Sequence, residues 1–399
     1  MNNQFELTNS QLLDIANNLR LKIETGLQED GTEIKCLPTY IHPNKDGIKG
    51  EATVFDLGGT NFRAAIVSVG KEPKIVGIAE KDITEMKTEG FTKEDLYNSQ
   101  AEIINKLDLK ENSPIGYCFS YPASSLTDGD AELITWTKGV NIDGMVGEPV
   151  GKTLVEFLDE HTPVKFGKIA VVNDTITSLF AGLLNPGYDS YIGLIVGTGT
   201  NMATFFPSEY IPKLAGLKGW SGETPVNLES GNFNPPHLTV FDAIVDDNSN
   251  NTGFQRFEKA ISGMYLGRVF RAAFPLEHLD VDLDAADLSR MMNNPENYKP
   301  EYSEVAFQIY ERSAKLVAAS ITGLVLNLHS ANPEVKTIQV LAEGSLFWSK
   351  VKTGNTSYVE IVNASLKELL AGLGMGDKSV QISRIDNANL IGAAMAVLS

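Results

Sequence analysis

A chain of 399 residues with a formal charge of −18 is a poor match for the phosphate backbone of nucleic acid or for an anionic membrane. Nucleotides stay open, because backbone N–H groups and a metal ion can hold phosphate without a basic surface. The length favours two lobes over one core, and no apolar run reaches the roughly 18 residues that a membrane span needs. The N-terminal stretch is polar and amphipathic, unlike a secretory signal. Cys36 and Cys118 are too few for a disulfide framework, which fits a reducing, cytoplasmic setting. The five histidines are scattered, with no zinc-like spacing.

In chain order, Leu12, Leu13, Ile15, Leu19, Ile23 and Leu27 repeat with a helical period over 10–27. A loop rich in Pro and Gly follows from Pro38 to Gly50, then strand candidates at 52–57, 61–69 and 74–83. Residues 94–107 read as helix, and SPIGYCFSYP (113–122) as a buried strand ended by proline. The Gly- and Asp-rich stretch 127–151 reads as a long irregular connection, the kind that carries function or disorder. KIAVVNDT (168–175) is an apolar strand whose Asp174 or Thr175 can cap the helix that follows. The second half predicts a strand–turn–strand at 191–206, an Ala-rich helix at 303–328, a strand from Thr337 into a glycine turn, and a helix at 357–370. A strand at 379–385 and an apolar helix at 388–398 close the chain.

The stretches VFDLGGTNFRAAIVSV (54–69) and YIGLIVGTGTNMATFF (191–206) share one pattern: a strand, glycines and Thr, Asn, and a second strand. The repetition predicts a duplicated α/β unit, although Asp56 has no acidic counterpart in the second copy. Three glycine turns follow strands: Gly58-Gly59-Thr60-Asn61, Gly197-Thr198-Gly199-Thr200-Asn201 and Glu343-Gly344-Ser345. Singly each reads as a plain hairpin. Together they read as phosphate cradles, because glycine lets backbone N–H groups approach an anion and hydroxyls add donors. Asp56 could hold magnesium directly or through water. GEPVGKT (147–153) is one residue short of a P-loop, and GTGTNM lacks the last glycine of a dinucleotide fingerprint.

Polar residues gather at strand ends. Ser120 precedes Tyr121-Pro122, Thr137 and Lys138 follow Trp136, and Asn173-Asp174 ends an apolar strand. Asp174 reads equally well as a helix cap or as a base. Glu229 and Glu258 lie near glycines, where a solvated acid is the plainer reading. Carboxylates and amides in converging pairs suit a polyol, whose hydroxyls both donate and accept.

FDLGGTNFR, FSYP, WTKG, VVNDT, IVGTGTN, NLESG, FEKAISGMYLGR and AEGSLFW, in this order, resemble the hexokinase family. The resemblance covers most of the chain and implies an actin-like (ribonuclease H-like) ATPase fold, α/β and two-lobed, with duplicated units around a cleft. It implies a small lobe over 44–173 joined by the C-terminal helix 386–399, and a large lobe over 174–385 joined by the N-terminal segment 1–43. The implied activity is transfer of the γ-phosphate of MgATP to the 6-hydroxyl of glucose, with fructose and mannose as further substrates. By the same resemblance Asp174 is the general base and Lys138 steadies the transferring phosphoryl group. Ser120, Thr137, Asn173, Asn201, Asn227, Glu229 and Glu258 would line the sugar pocket. Asp56, Gly58, Gly59, Thr60, Asn61, Arg63, Gly197 and Thr198 would serve the phosphates and Mg²⁺, and Gly344 and Ser345 the nucleoside end. The implied partners are hexose and ATP, with neither nucleic acid nor membrane; oligomeric state is not legible. The sequence departs from the family at Ser230, where many relatives have Trp, at Met264, where they have Lys, and at Glu343, where they have Asp. Other actin-fold kinases, an actin-like ATPase and a sugar sensor without catalysis are the competing readings.

Overall fold

The computed structural model describes residues 3–44, 47–59, 61–137 and 139–399. Helix α1 (Asn9–Gln28) starts at a Thr8–Gln11 capping box and buries Leu12, Ile15, Leu19, Ile23 and Leu27, the stripe expected from the period. A two-residue strand, β1 (Leu37–Pro38), follows it.

Strands β2 (Gly50–Leu57), β3 (Asn61–Val69) and β4 (Lys74–Asp82) form an antiparallel meander. The last six residues of β2 are all buried, whereas β4 has no buried residue and stands at the sheet edge. After α2 (Lys93–Ile104), β5 (Ser113–Phe119) joins parallel to β2. The stretch 127–151 is less irregular than expected: β6 (Ala123–Ser125) and β7 (Ala131–Leu133) pair antiparallel within and beside it. Helix α3 (Val150–His161) leads to β8 (Phe166–Val172), parallel to β5. The sheet order is β4-β3-β2-β5-β8.

Helix α4 (Asp174–Gly182) begins directly after β8. Strands β9 (Ser190–Val196), β10 (Thr200–Pro207) and β11 (Glu223–Asn227) make a second antiparallel meander. Helices α5 (Val240–Asp247), α6 (Arg256–Ile261), α7 (Gly263–Ala273), α8 (Ala285–Asn293) and α9 (Pro300–Ala331) follow. Then come β12 (Thr337–Glu343), the small β13 (Lys350–Val351) and β14 (Thr356–Ser357) pair, α10 (Tyr358–Gly372), β15 (Ser379–Ser383) and α11 (Ala388–Leu398). The second sheet runs β1-β11-β10-β9-β12-β15, with β12 parallel to both β9 and β15.

Apart from β1, the two sheets share one topology: a three-stranded antiparallel meander, then two parallel strands added beside its first strand. That identity of connection carries the duplication further than the glycine turns alone. Helix α11 packs on β2, β3, β5 and β8 and on α4, so the end of the chain lies against the first sheet. Helix α9 is long and apolar enough to cross a membrane by length and composition, yet it is packed against α1, α10 and α8. Its Arg312 is buried and meets Asp242 of α5 through two bonds, Nη1 to Oδ2 at 2.6 Å and Nη2 to Oδ1 at 2.8 Å. Such a pair suits a core helix, since both charges are matched by geometry as well as sign.

Candidate active site

The near-P-loop at 147–153 resolves first. Pro149 caps α3, and the buried Asp130 carboxylate takes the amides of Gly151 and Lys152, each at 2.7 Å. The chain's own carboxylate occupies this helix N-terminus, where an anion is favoured by the exposed N–H groups and the dipole. A phosphate has no claim on it.

The first glycine turn joins β2 to β3. Asp56, buried near the end of β2, stands opposite Arg63 in the register. Arg63 Nε donates to Asp56 Oδ2 at 3.0 Å, and its Nη2 makes a second, closer contact to the same oxygen. The turn closes through Gly58 N–H to the Asn61 carbonyl at 3.0 Å, with Asn61 the exposed first residue of β3. Gly59 lies in the same turn. Thr60 lies outside the described residues, as does Lys138.

Ser120 follows β5, and its amide donates to the Leu57 carbonyl at 3.2 Å, while Tyr121 Oη donates to the Gly58 carbonyl at 2.9 Å. Trp136 packs edge-on against Tyr121, ring centres 4.8 Å apart, and its indole N–H reaches the Ile142 carbonyl at 3.0 Å. These aromatic contacts fasten the loop carrying Thr137 beside the strand end carrying Ser120.

At the end of β8 the helix cap is Asn173, which corrects the expectation that Asp174 or Thr175 does the capping. Asn173 Oδ1 accepts the Thr175 amide at 3.0 Å, and Asp174 is the first helical residue. Asp174 Oδ1 accepts the same amide at 2.9 Å, so the two side chains share it. The apolar strand ends at Val172, three residues earlier than the predicted stretch.

From Asn173 a polar chain crosses to the second sheet. The buried Thr175 hydroxyl donates to Asn173 Oδ1 and accepts Asn201 Nδ2 at 2.9 Å. Asn201 Nδ2 also donates to Asn227 Oδ1 at 2.7 Å, and Asn227 Nδ2 to Glu229 Oε1 at 2.8 Å. Asn201 Oδ1 takes the amides of Met202 at 2.8 Å and Ser230 at 3.1 Å. Each of the four hydrogen-bonding positions of that side chain thus has a partner within the protein. Glu229 sits at φ +56°, the left-handed region that non-glycine residues rarely adopt and that clusters at functional sites. The sequence assigns every member of this chain to the site except Thr175, read there only as a possible cap; its hydroxyl is the link between Asn173 and Asn201.

The second glycine turn joins β9 to β10. Gly197 N–H donates to the Gly199 carbonyl at 2.9 Å, and the Glu258 carboxylate Oε2 accepts the Thr200 amide at 3.0 Å. The Gly197 and Thr198 carbonyls accept the amides of Gly263 at 2.7 Å and Met264 at 3.3 Å. The third turn lies against it: Gly344 has φ +111°, and a Cβ there would stand 2.1 Å from the Val196 carbonyl oxygen. Beside that turn a cavity of about 270 Å³ is bordered by Gly344, Ser345, Trp348, Arg384, Asp386 and Asn387 among others.

Glu343, at the tip of β12, was outside the candidate set. Its Oε1 is buried and has no hydrogen-bond partner among the described residues. Burial, reinforced by the Asp174 and Asp56 carboxylates, pushes its pKa up to about 7. Ends of strands from both sheets therefore bring three carboxyl groups, Asp56, Asp174 and Glu343, within electrostatic reach of one another. Cys118, buried behind them, has its thiol pKa raised by burial and then by the Asp56 and Asp174 charges, which marks it as inert.

The arrangement fits a nucleotide. Two glycine turns abut beside a cavity large enough for a nucleoside, and a third glycine turn ends in an acid–arginine pair. Among the described residues no three His, Cys, Asp or Glu side chains form a metal cage. A magnesium ion here would ride on phosphate oxygens, with Asp56 as the protein group at hand.

Comparison with known proteins agrees with this architecture. One hexokinase family model matches residues 1–183, and a second matches 191–279 and 283–399. Hexokinase-1 of Arabidopsis thaliana is 31% identical, over 98% of this chain and 88% of its own length. Hexokinase-3 of Rattus norvegicus is 34% identical over 67% of this chain, a segment spanning only 30% of that longer protein. In structure, the Schistosoma mansoni hexokinase solved with glucose superposes with a TM-score of 0.79 at 24% identity, covering 99% of this chain and 96% of that one. A glucokinase of the ROK family from Streptomyces griseus, solved with glucose and AMPPNP, reaches 0.52 at 20% identity, over 86% of this chain and 98% of its own. The fold is thus two-lobed α/β. The chain belongs to the hexokinase family.

Proposed function

We propose that this protein is an ATP-dependent hexokinase that transfers the γ-phosphate of MgATP to the 6-hydroxyl of glucose, and to that of fructose or mannose. The observation that carries the reading is the polar chain Asn173–Thr175–Asn201–Asn227–Glu229, which gathers amides and a carboxylate next to Asp174 and takes in Asn201 at the end of the second glycine turn. A sugar hydroxyl needs a donor and an acceptor together, and this chain supplies both. The proposed division places 44–173 and 386–399 in the small lobe, and 174–385 with 1–43 in the large one.

In this scheme Asp174 takes the proton from the exocyclic hydroxyl as that hydroxyl's oxygen attacks phosphorus. Ser120, Thr137, Asn173, Asn201, Asn227, Glu229 and Glu258 orient the sugar. Lys138 balances charge on the transferring group. Gly58, Gly59, Thr60, Asn61, Arg63, Gly197 and Thr198 hold phosphate oxygens, and Gly344 with Ser345 the nucleoside end. Magnesium, when bound, neutralises the phosphate charge as it shifts toward the leaving oxygen. Closure of the lobes on sugar would keep water, a competing acceptor, from the phosphate.

The test is turnover of MgATP by purified protein with glucose, fructose, mannose and N-acetylglucosamine, repeated with Asp174→Ala. Loss of a base costs about 10²- to 10⁴-fold in rate, with sugar affinity far less affected. Absence of sugar-dependent ADP release over the whole panel overturns the proposal.

A further inference from the structure

Helix α6 carries Glu258 on only six residues, too few for a helix to hold its own course in water. Its N-cap, Gln255, lies at φ +52° and makes no side-chain cap. Support comes from the residue after Glu258. Lys259 is 2% exposed, and its ammonium makes one bond for each hydrogen it carries: to Asp246 Oδ1 at 2.6 Å, Ser249 Oγ at 2.8 Å and the Asn251 carbonyl at 3.0 Å. Asp246 also accepts the Gly253 amide, at 3.1 Å on Oδ1 and 3.0 Å on Oδ2, and lies 3.6 Å from Arg256 Nε. The segment joining α5 to α6 is thus wrapped around one buried cation.

The far end of α6 meets a second buried pair. Arg312, bound to Asp242, also donates through Nη2 to the Ala260 carbonyl at 3.4 Å, and the Ser313 hydroxyl donates to the Ile261 carbonyl at 2.8 Å. Asp242 and Asp246 lie one turn apart on α5, both buried, and each meets a buried cation. Stability is a poor reason for such pairs. A buried ion pair can often be exchanged for apolar side chains without loss, and its best-attested use is to fix register. The register at stake here is the rotation of α6 about its axis. Successive side chains on a helix point about 100° apart. With Lys259 pinned to α5, Glu258 has one direction left to it, and there its Oε2 accepts the Thr200 amide at 3.0 Å.

We propose that Lys259, anchored on Asp246, is a positioning residue for hexose binding: it sets the rotation of α6 and so the place of the Glu258 carboxylate that receives a sugar hydroxyl. The inference rests on the hexose reading above. The ammonium is too deeply buried to meet a ligand and acts through its neighbour. An α6 free to turn carries the carboxylate along the wall of the site. A hydroxyl that finds its acceptor displaced forfeits a charge-assisted bond, the kind that contributes most to binding a polyol.

The test is a double-mutant cycle on the full chain, with glucose Kd read by calorimetry and folding by denaturant unfolding. Glu258→Ala is expected to weaken glucose about tenfold. Asp246→Asn combined with Lys259→Met removes the buried charges together, keeps an acceptor oxygen for Gly253 and should weaken glucose about fivefold. With all three substitutions glucose should bind within about twofold of Glu258→Ala alone, because the pair acts only through that carboxylate. Independent losses, about fiftyfold in the triple variant, would assign the pair to the fold in general and overturn the proposal. An unchanged Kd in the paired variant overturns it as well. If either set fails to fold, Glu258→Gln and Ser249→Ala, which takes one partner from the ammonium, replace them. Ser249→Ala should then weaken glucose about twofold in the wild-type chain and not in the Glu258→Gln chain, and equal weakening in both overturns the proposal. A wild-type chain that binds no glucose overturns the hexose reading itself. Glucose binding that ignores every change at Glu258 overturns the positioning role and leaves the hexose reading standing.

Discussion

The turns at Gly58 and Gly197 occupy the same place in two sheets of the same topology, yet they are secured differently. The first carries its anchor within its own hairpin, where Asp56 and Arg63 pair across β2 and β3. The corresponding pair of the second hairpin is Ile195 with Asn201, and its anchors come from elsewhere: Glu258, Gly263, Met264 and the abutting Gly344. A self-contained hairpin depends on local sequence. A hairpin clasped from two distant segments depends on the whole lobe around it. Changes at the first turn should stay local, and changes at the second should spread.

The largest contrast lies between two glycines. Gly344→Ala forces a side chain into a φ of +111° and a Cβ to 2.1 Å from the Val196 carbonyl. It is expected to destabilise the fold by about 3 kcal/mol, read from denaturant unfolding. Gly58→Ala meets nothing nearer than the Asn61 carbonyl at 3.6 Å. It should cost less than about 1 kcal/mol. Equal effects from the two would mean that both turns tolerate a side chain alike.

Asp56→Asn attacks the first turn at its own anchor. Arg63, about a quarter exposed, would lose its charged partner. A loss of about 2 kcal/mol is expected for a charge-assisted bond of this kind. If the anchor is local, nucleotide KM rises while glucose affinity, measured without nucleotide, stays as in wild type. A parallel fall in glucose affinity would show that the first turn, too, is wired across the site.

Thr175→Val tests the polar chain between the sheets. Valine keeps the shape but removes the hydroxyl that Asn173 and Asn201 share, leaving one amide hydrogen of the half-buried Asn201 without that partner. Glucose KM should rise about tenfold with a smaller change in kcat, and Thr175→Ser should restore it. A variant that loses both parameters equally, with serine giving no rescue, would assign the hydroxyl a role in folding instead.

How much of this was written in the sequence depends on the range of the forces involved. The meander at 50–82, the hairpin at 190–207 and the terminal helices were legible because apolar period and glycine are local signals. The helices between Val240 and Asn293 drew no prediction: they are short, and α6 has only six residues, too few for a period to show. Glu229 and Glu258 gain a role only through resemblance, since a nearby glycine does not by itself separate a ligand-binding acid from a solvated one. Thr175 went unranked because its partner Asn201 lies 26 residues away, on another strand. The misassigned cap has the same origin: Asn, Asp and Thr all cap helices, and only the backbone course decides which of three neighbours does so.

Glu343 is the remaining place where the halves of the molecule touch electrostatically, and pH is the way to read it. Its pKa, ordinarily near that of any glutamate, rises to about 7 through burial and then through Asp174 and Asp56. A raised carboxyl pKa means that the folded state holds a proton the unfolded chain releases. The stabilising contribution is therefore complete below the unfolded value of 4.5 and is lost as pH climbs through about 7. Glu343→Gln mimics the protonated form at every pH. It should match wild type at pH 4.5 or below and exceed it at pH 8, with a melting temperature higher by about 2 °C or more. If glutamine is no better than glutamate at pH 8, the three carboxyl groups are not in electrostatic contact, and the two turns do not share a charged centre.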